Sequence, residues 1–317
     1  MRAAVIAAPQ KAKSVELPIP QPETGQVRVK ITGCGMCGSN LALWEGQPWF
    51  KYPLAPGAPG HEAWGCVEAA GSGVSEVRPG DMVAFMSNNA FAEYDIADVS
   101  ALVPLPPTLR NKPFPGEPLA CAMNVFARSG IQPGETVAIV GIGFLGALLT
   151  QLAASMGALV VAVSRRPYAL EMAERFGARH TIVMEDHDAV MHKIHLLTDG
   201  HGCERVIEAI GAQLPLDLAS SIVRMRGRLV IAGYHQDGPR QVNMQQWNWR
   251  GIDVVNAHER SSRIYVNGMR KAMRAIADGV LNPYPLYTHT FGLHEIGDAF
   301  EMMKKRPEGF MKGLVIP

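Results

Sequence analysis

The stretch Thr136-Val137-Ala138-Ile139-Val140-Gly141-Ile142-Gly143-Phe144-Leu145-Gly146 decides the fold. Its first five residues are apolar and rich in β-branched types, the texture of a strand. Phe144 then opens FLGALLTQLAASM, which reads as a helix. Between them lies a GxGxxG. Glycine clusters are common, and the pattern carries meaning only in this setting, after a strand and at a helix start. The first glycine permits a tight turn, the second lets backbone approach a diphosphate, and the third lets helix and strand pack closely. The helix N-terminus adds free N–H groups and partial positive charge. Gly141, Gly143 and Gly146 therefore read as a dinucleotide-binding turn, with an empty glycine turn as the alternative.

Working outward, no charged residue occurs from Thr136 to Ser164, a length that would span a bilayer. Gly141, Gly143, Gly146 and Gly157 divide it, and its flanks, TVAIV and ALVVAV, are strand-like, so a buried βαβ unit is expected instead. Strand and helix patterns go on alternating. A helix is predicted from about Tyr168, then the strand HTIVM, a helix from about Asp186, the strand RVIEAI, a helix to about Arg226, then RLVIAG and IDVVNA. This predicts a doubly wound parallel sheet. The second strand ends Ala162-Val163-Ser164-Arg165-Arg166, where an NAD site usually carries Asp or Glu for the ribose hydroxyls. A neutral Ser164 followed by two guanidinium groups suits a 2′-phosphate, which favours NADP(H) over NAD(H). The alternative is that Arg165 and Arg166 are merely solvated at a helix start.

Upstream, residues 1–135 are rich in Gly, Pro and short β-like runs such as QVRVKITG, GCVEAAGSGV and DMVAFM, which predicts an irregular, mostly β domain. PLPPTLRNKPFPGEP (104–118) reads as a connecting loop. Downstream, a long helix over RIYVNGMRKAMRAIADG leads to a final strand-like GLVIP. The 317 residues match two domains at about 150 residues each. With 47% hydrophobic and 19% charged residues, general disorder is excluded. Lys and Arg number 30 against 29 Asp and Glu, so the basic excess of a non-specific nucleic-acid or anionic-membrane binder is absent. The cysteines, Cys34, Cys37, Cys66, Cys121 and Cys203, are too sparse for a disulfide scaffold. Pro9 and Lys11 interrupt the N-terminal apolar stretch, which argues against a secretory signal; a cytoplasmic protein is expected.

Three small clusters carry chemistry-bearing residues: Gly33-Cys34-Gly35-Met36-Cys37-Gly38-Ser39-Asn40, Gly60-His61-Glu62 and Gly116-Glu117-Pro118-Leu119. Cys34-x-x-Cys37 alone suggests a redox or zinc-ribbon pair, but a ribbon needs a second pair and none is present. Taken with the run from Gly60 through Gly80-Asp81-Met82-Val83, with Ala90-Phe91-Ala92-Glu93-Tyr94, the GxGxxG and Thr288-His289-Thr290-Phe291, they resemble the medium-chain zinc-dependent alcohol and polyol dehydrogenase superfamily. Glu117-Pro118-Leu119 is the sorbitol-dehydrogenase-like version.

The resemblance covers nearly the whole chain and implies an α/β protein. A GroES-like, mostly β catalytic domain would span residues 1–122 and 262–317, and a Rossmann domain residues 123–261, with the site in the cleft between them. It implies one catalytic zinc, with Cys37, His61 and one of Glu62 and Glu117 as ligands and the other glutamate either exchanging with water or holding that water from behind; Cys121 is a rival ligand, the alternative being a place beside the nicotinamide. These donors suit zinc, and a catalytic site keeps one position open. Zinc would lower the pKa of a secondary alcohol or polyol and hydride would pass to the nicotinamide, or the reverse with a ketone. Ser39 falls where the family passes the substrate proton outward. Three departures stand out. Asn40 replaces the usual Asp behind the histidine ligand and can still accept its N–H. Ala42 replaces a relay histidine. The cysteine-rich lobe for a structural zinc is absent, so no second zinc is expected. Trp44, Trp49, Phe50 and Phe91 are candidates to line the substrate pocket or to pack elsewhere. Asn256, Ala257 and His258 fall near the nicotinamide. The partners expected are a small-molecule substrate and further copies of the chain, with IDVVNA extending a sheet across a two-fold axis in a homodimer or homotetramer; neither nucleic acid nor membrane is expected. The competing readings are a zinc-independent NADPH reductase of the same superfamily and a non-catalytic dinucleotide-binding protein.

Overall fold

The computed structural model describes residues 1–317. Strands β1 (Arg2–Ala8) and β2 (Lys11–Glu16) form a hairpin, and β3 (Gln26–Gly35) leads through a tight turn into α1 (Leu41–Glu45). Four strands follow: β4 (Glu62–Ala70), β5 (Met82–Met86), β6 (Tyr94–Asp98) and β7 (Leu102–Pro104). Helix α2 (Gly116–Ser129) comes next. The chain then alternates through β8 (Thr136–Val140), α3 (Phe144–Ser155), β9 (Leu159–Ser164), α4 (Pro167–Arg175), β10 (His180–Val183) and α5 (His187–Leu197). It continues with β11 (Cys203–Glu208), α6 (Gln213–Ile222), β12 (Val223–Ile231), α7 (Met244–Arg250) and β13 (Asp253–Asn256). Helix α8 (Ser262–Ala277), β14 (Tyr287–Gly292), α9 (Ile296–Lys305) and β15 (Lys312–Ile316) complete it.

Two compact units result. One comprises Met1–Ala120, Arg260–Arg274 and Pro283–Pro317, the other Cys121–Glu259 and Ala275–Asn282. In the first, the main sheet runs β14-β15-β3-β4-β5-β7, with β6 also on β3. Its pairs are antiparallel except β14 with β15. Strand β3 alternates, burying Val27, Val29 and Ile31 while Lys30 and Thr32 face out, as a half-solvated sheet requires. The core beneath holds Trp44, Phe85, Phe91 and Phe300, and the Trp44 and Phe300 rings stack at 4.8 Å. Trp44 and Phe91 are therefore core residues, Phe50 packs against that core, and Trp49 is exposed.

The second unit is a six-stranded sheet in the order β10-β9-β8-β11-β12-β13, parallel throughout. The order reverses between β8 and β11, which places the GxGxxG turn at the switch point of a doubly wound sheet. Strands β8 and β9 are buried on both faces, which explains their unbroken apolar runs. No helix is long and apolar enough to cross a membrane. Three differences from the sequence reading have physical causes. The proline-rich stretch ends in α2, which starts at Gly116 and carries Glu117 in its first turn, where the helix dipole favours a carboxylate. Helix α6 stops at Ile222, short of Arg226, because Val223 already pairs with Cys203 of β11. Helix α7 was not foreseen; the Asn243 side chain caps it by accepting from Gln246 N–H.

Candidate active site

Strand register brings the first cluster together. Gly35, at the end of β3, is paired with Glu62 at the start of β4. Cys37 lies two residues beyond the one and His61 immediately before the other, so an antiparallel pairing sets them side by side. Cys37, His61 and Glu62 each bring a ligand atom to within 4.8 Å of the others. The His61 Nδ1 is 2.9 Å from the Pro59 carbonyl, which can only accept, so Nδ1 carries a proton and Nε2 is the nitrogen turned to Cys37. The imidazole N–H thus goes to Pro59 and not to Asn40, whose own amide donates to the same carbonyl at 3.3 Å. Burial works against charge on His61, but the neighbouring Cys37, Glu117 and Glu62 prevail and push its pKa up to about 10. Ser39 Oγ donates to Cys37 Sγ at 3.1 Å.

Glu62 is fully buried and paired with Lys312 at the start of β15: Lys312 Nζ donates to Oε1 at 2.7 Å and lies 2.5 Å from Oε2. Oε2 nevertheless accepts no well-formed hydrogen bond. Space for this carboxylate depends on Gly35, where an added Cβ would sit 1.9 Å from Oε2. Glu117, in the first turn of α2, stands outside the three-atom group but within its field. Burial raises its pKa, while His61 and Lys312 and a hydrogen bond from Tyr265 of α8 act the other way. Cys121 is outside the group too. Two other thiols are poor donors: burial pushes Cys34 well up and Cys203 up to about 12. Sequence reading missed Lys312 and Tyr265, and it assigned no role to Gly35 within the first cluster. The one available signal was a lone Lys at the head of the apolar KGLVIP run. A cysteine sulfur, an imidazole and a carboxylate converging in this way fit a zinc ion by donor chemistry.

The glycine turn has its own geometry in the second unit. Gly141 has φ +105°, which favours glycine, and a Cβ on Gly146 would lie 2.0 Å from the Gly141 carbonyl oxygen. Gly143 caps α3 with no side-chain hydrogen bond, and a Cβ there would meet nothing within 4 Å. Open space above uncapped helix N–H groups fits a diphosphate. Ser164 is buried at the end of β9, and its Oγ accepts from Arg166 N–H at 3.2 Å. Arg166 Nη2 donates to the Ile142 carbonyl inside the turn at 3.1 Å, while Arg165 is exposed.

Comparison with known proteins agrees with this architecture. Residues 23–107 match the alcohol dehydrogenase GroES-like domain family and residues 145–278 the zinc-binding dehydrogenase family. The chain is 26% identical to a sorbitol dehydrogenase of Bacillus subtilis over 349 aligned positions, covering 100% of this chain and 97% of that one. It is 30% identical to an alcohol dehydrogenase of a Moraxella species, covering 71% of this chain and 74% of that one. Galactitol-1-phosphate dehydrogenase of Escherichia coli has the same fold, with a TM-score of 0.85 at 23% identity and 100% coverage of both chains. With a GroES-like unit, a doubly wound dinucleotide-type unit and these matches, the chain belongs to the medium-chain, zinc-type alcohol and polyol dehydrogenase superfamily of oxidoreductases.

Proposed function

We propose that the protein is a zinc- and NADP(H)-dependent dehydrogenase that interconverts a secondary alcohol or polyol and the corresponding ketone. The observation that carries the reading is the convergence of Cys37, His61 and Glu62 to within 4.8 Å. These three residues would hold the ion, with Glu117 beside them, and residues 1–122 and 262–317 would supply the catalytic part. When bound, zinc supplies Lewis acidity toward the alcohol or ketone oxygen, and the nicotinamide accepts or donates hydride.

The protein's own residues would do the rest. Cys37 would contribute a soft donor, and the Pro59 carbonyl orients the His61 ring so that Nε2, on losing its proton to the incoming ion, can meet it. Ser39 carries a rotatable hydroxyl beside Cys37, suited to passing a proton outward. In the cofactor part, residues 123–261, Gly141, Gly143 and Gly146 would cradle the diphosphate. Ser164, Arg165 and Arg166 would take the adenosine ribose and its 2′-phosphate, a reading supported by the absence of an acidic residue after β9 and by an exposed Arg165. The chain would assemble as a homodimer or homotetramer through the edge strand β13.

The test is turnover of NADP⁺ and NAD⁺ by zinc-loaded protein against a panel of polyols and secondary alcohols. Turnover is expected with NADP⁺ preferred, and Arg165→Asp should lower kcat/KM for NADP⁺ by about tenfold or more. Tighter use of NAD⁺ by the unmodified protein would remove the NADP(H) assignment. Cofactor binding without turnover on any substrate would remove the dehydrogenase.

A further inference from the structure

A buried polar chain in the second unit is not used by anything described above. Glu208 ends β11 with its carboxylate wholly buried. Its Oε1 accepts from the Ile210 and Gly211 backbone N–H groups, both at 2.7 Å. Its Oε2 is 2.9 Å from His235 Nε2. On the far side of the ring, Arg240 Nε is 2.9 Å from His235 Nδ1. A guanidinium only donates, so Nδ1 must accept, and the ring proton sits on Nε2 and is given to Glu208. Arg240 also donates to the Gly211 carbonyl and to Asp237. A reciprocal pair between Gln213 and Gln241 ties the same loop to the start of α6.

This chain of contacts stiffens the loop between β12 and α7, and the loop carries Tyr234. The Tyr234 side chain is 55% exposed, yet its ring lies nearly flat on His258, with centroids 5.5 Å apart and planes 22° apart. His258 follows β13, the strand beside β12. Arg128 of α2 donates to the His258 carbonyl at 3.4 Å. In a doubly wound sheet a dinucleotide spans two mononucleotide halves. The glycine turn after β8 and the arginines after β9 serve one half. The carboxyl ends of β11, β12 and β13 remain for the other, and there this aromatic pair and its support stand.

We propose that His235, clamped between Glu208 and Arg240, is a positioning residue that holds Tyr234 against His258 as an aromatic wall for the nicotinamide half of the cofactor. Glu208 sets the ring from one side and Arg240 from the other, so the loop is ordered before the cofactor arrives. A preformed wall spares the ordering cost that a mobile loop would impose on binding. The inference rests on the dinucleotide reading of this unit.

The experiment compares whole cofactor with its adenosine fragment. Binding of NADPH and of 2′,5′-ADP, and in parallel of NADH and ADP, is measured on the full chain by titration calorimetry. His235→Leu removes both hydrogen bonds, His235→Gln keeps one donor and one acceptor, and Tyr234→Ala removes the wall without touching the clamp. His235→Leu and Tyr234→Ala should each weaken the reduced cofactor by about tenfold or more and leave the fragment unchanged, with His235→Gln restoring most of the loss. Tyr234→Ala decides the matter if His235→Leu fails to fold. Equal losses for cofactor and fragment, or no loss in Tyr234→Ala, would overturn the positioning role while leaving the dinucleotide site intact. Failure of the unmodified protein to bind either reduced cofactor would overturn both.

Discussion

Glu62, itself a candidate metal ligand, and Lys312 are two opposite charges sealed from water. Desolvation makes such a pair a modest source of net stability, but loss of one partner leaves a bare buried charge. Lys312→Met should therefore lower unfolding stability by about 3–5 kcal/mol, read from denaturant midpoints. The double variant Glu62→Gln with Lys312→Met should recover much of that loss; no recovery would mean that Lys312 acts by packing alone. The same site shows what a sequence makes legible. Cys37, His61 and Glu62 stand in short clusters whose residue types match a known chemistry, so they could be named in advance. Lys312 is 250 positions from Glu62, and only the pairing of β15 with β3 brings its strand to the site. Asn40 illustrates the reverse error: its place behind His61 was readable, but the carbonyl that captures the imidazole N–H belongs to Pro59, and backbone groups leave no trace in a residue pattern.

Among the elements, strands with two buried faces or a regular alternation were read correctly, because burial dictates their composition. Helices α2 and α7 were missed for separate reasons. Prolines at the front of α2 read as loop, although Pro118 lies in its first turn, where its missing N–H costs nothing. Helix α7 is short and polar, so it shows no apolar stripe. Its position in the chain just before β13 has a consequence. Strand β13 is a sheet edge, and Trp249 of α7, 84% exposed, and Met244, 61% exposed, lie close to it in sequence. Unpaired edge groups with exposed apolar side chains invite pairing with a second copy. On the proposed assembly through β13, the double variant Val255→Lys with Trp249→Glu should shift the mass read by light scattering to a smaller species. An unchanged mass would remove β13 as an interface.

On the scale of the whole molecule, the order of motifs along the chain carried most of the information. The β-rich start and the alternating middle were readable from periodicity and turn residues, whereas the return of the C-terminal strands to the first sheet was implied only by the family resemblance. The return of Ala275–Asn282 to the dinucleotide-type unit was not readable, because that choice depends on packing at the end of α8 rather than on local pattern. Zinc dependence is the central functional claim, and it makes Cys37 the thiol that matters among five. The direct measurement is zinc content by elemental analysis together with turnover, for the unmodified protein and for Cys37→Ala. The account predicts a single zinc per chain in the unmodified protein, and loss of both metal and dehydrogenase activity in a folded Cys37→Ala variant. Full activity in Cys37→Ala, or in unmodified protein stripped of metal, would contradict it.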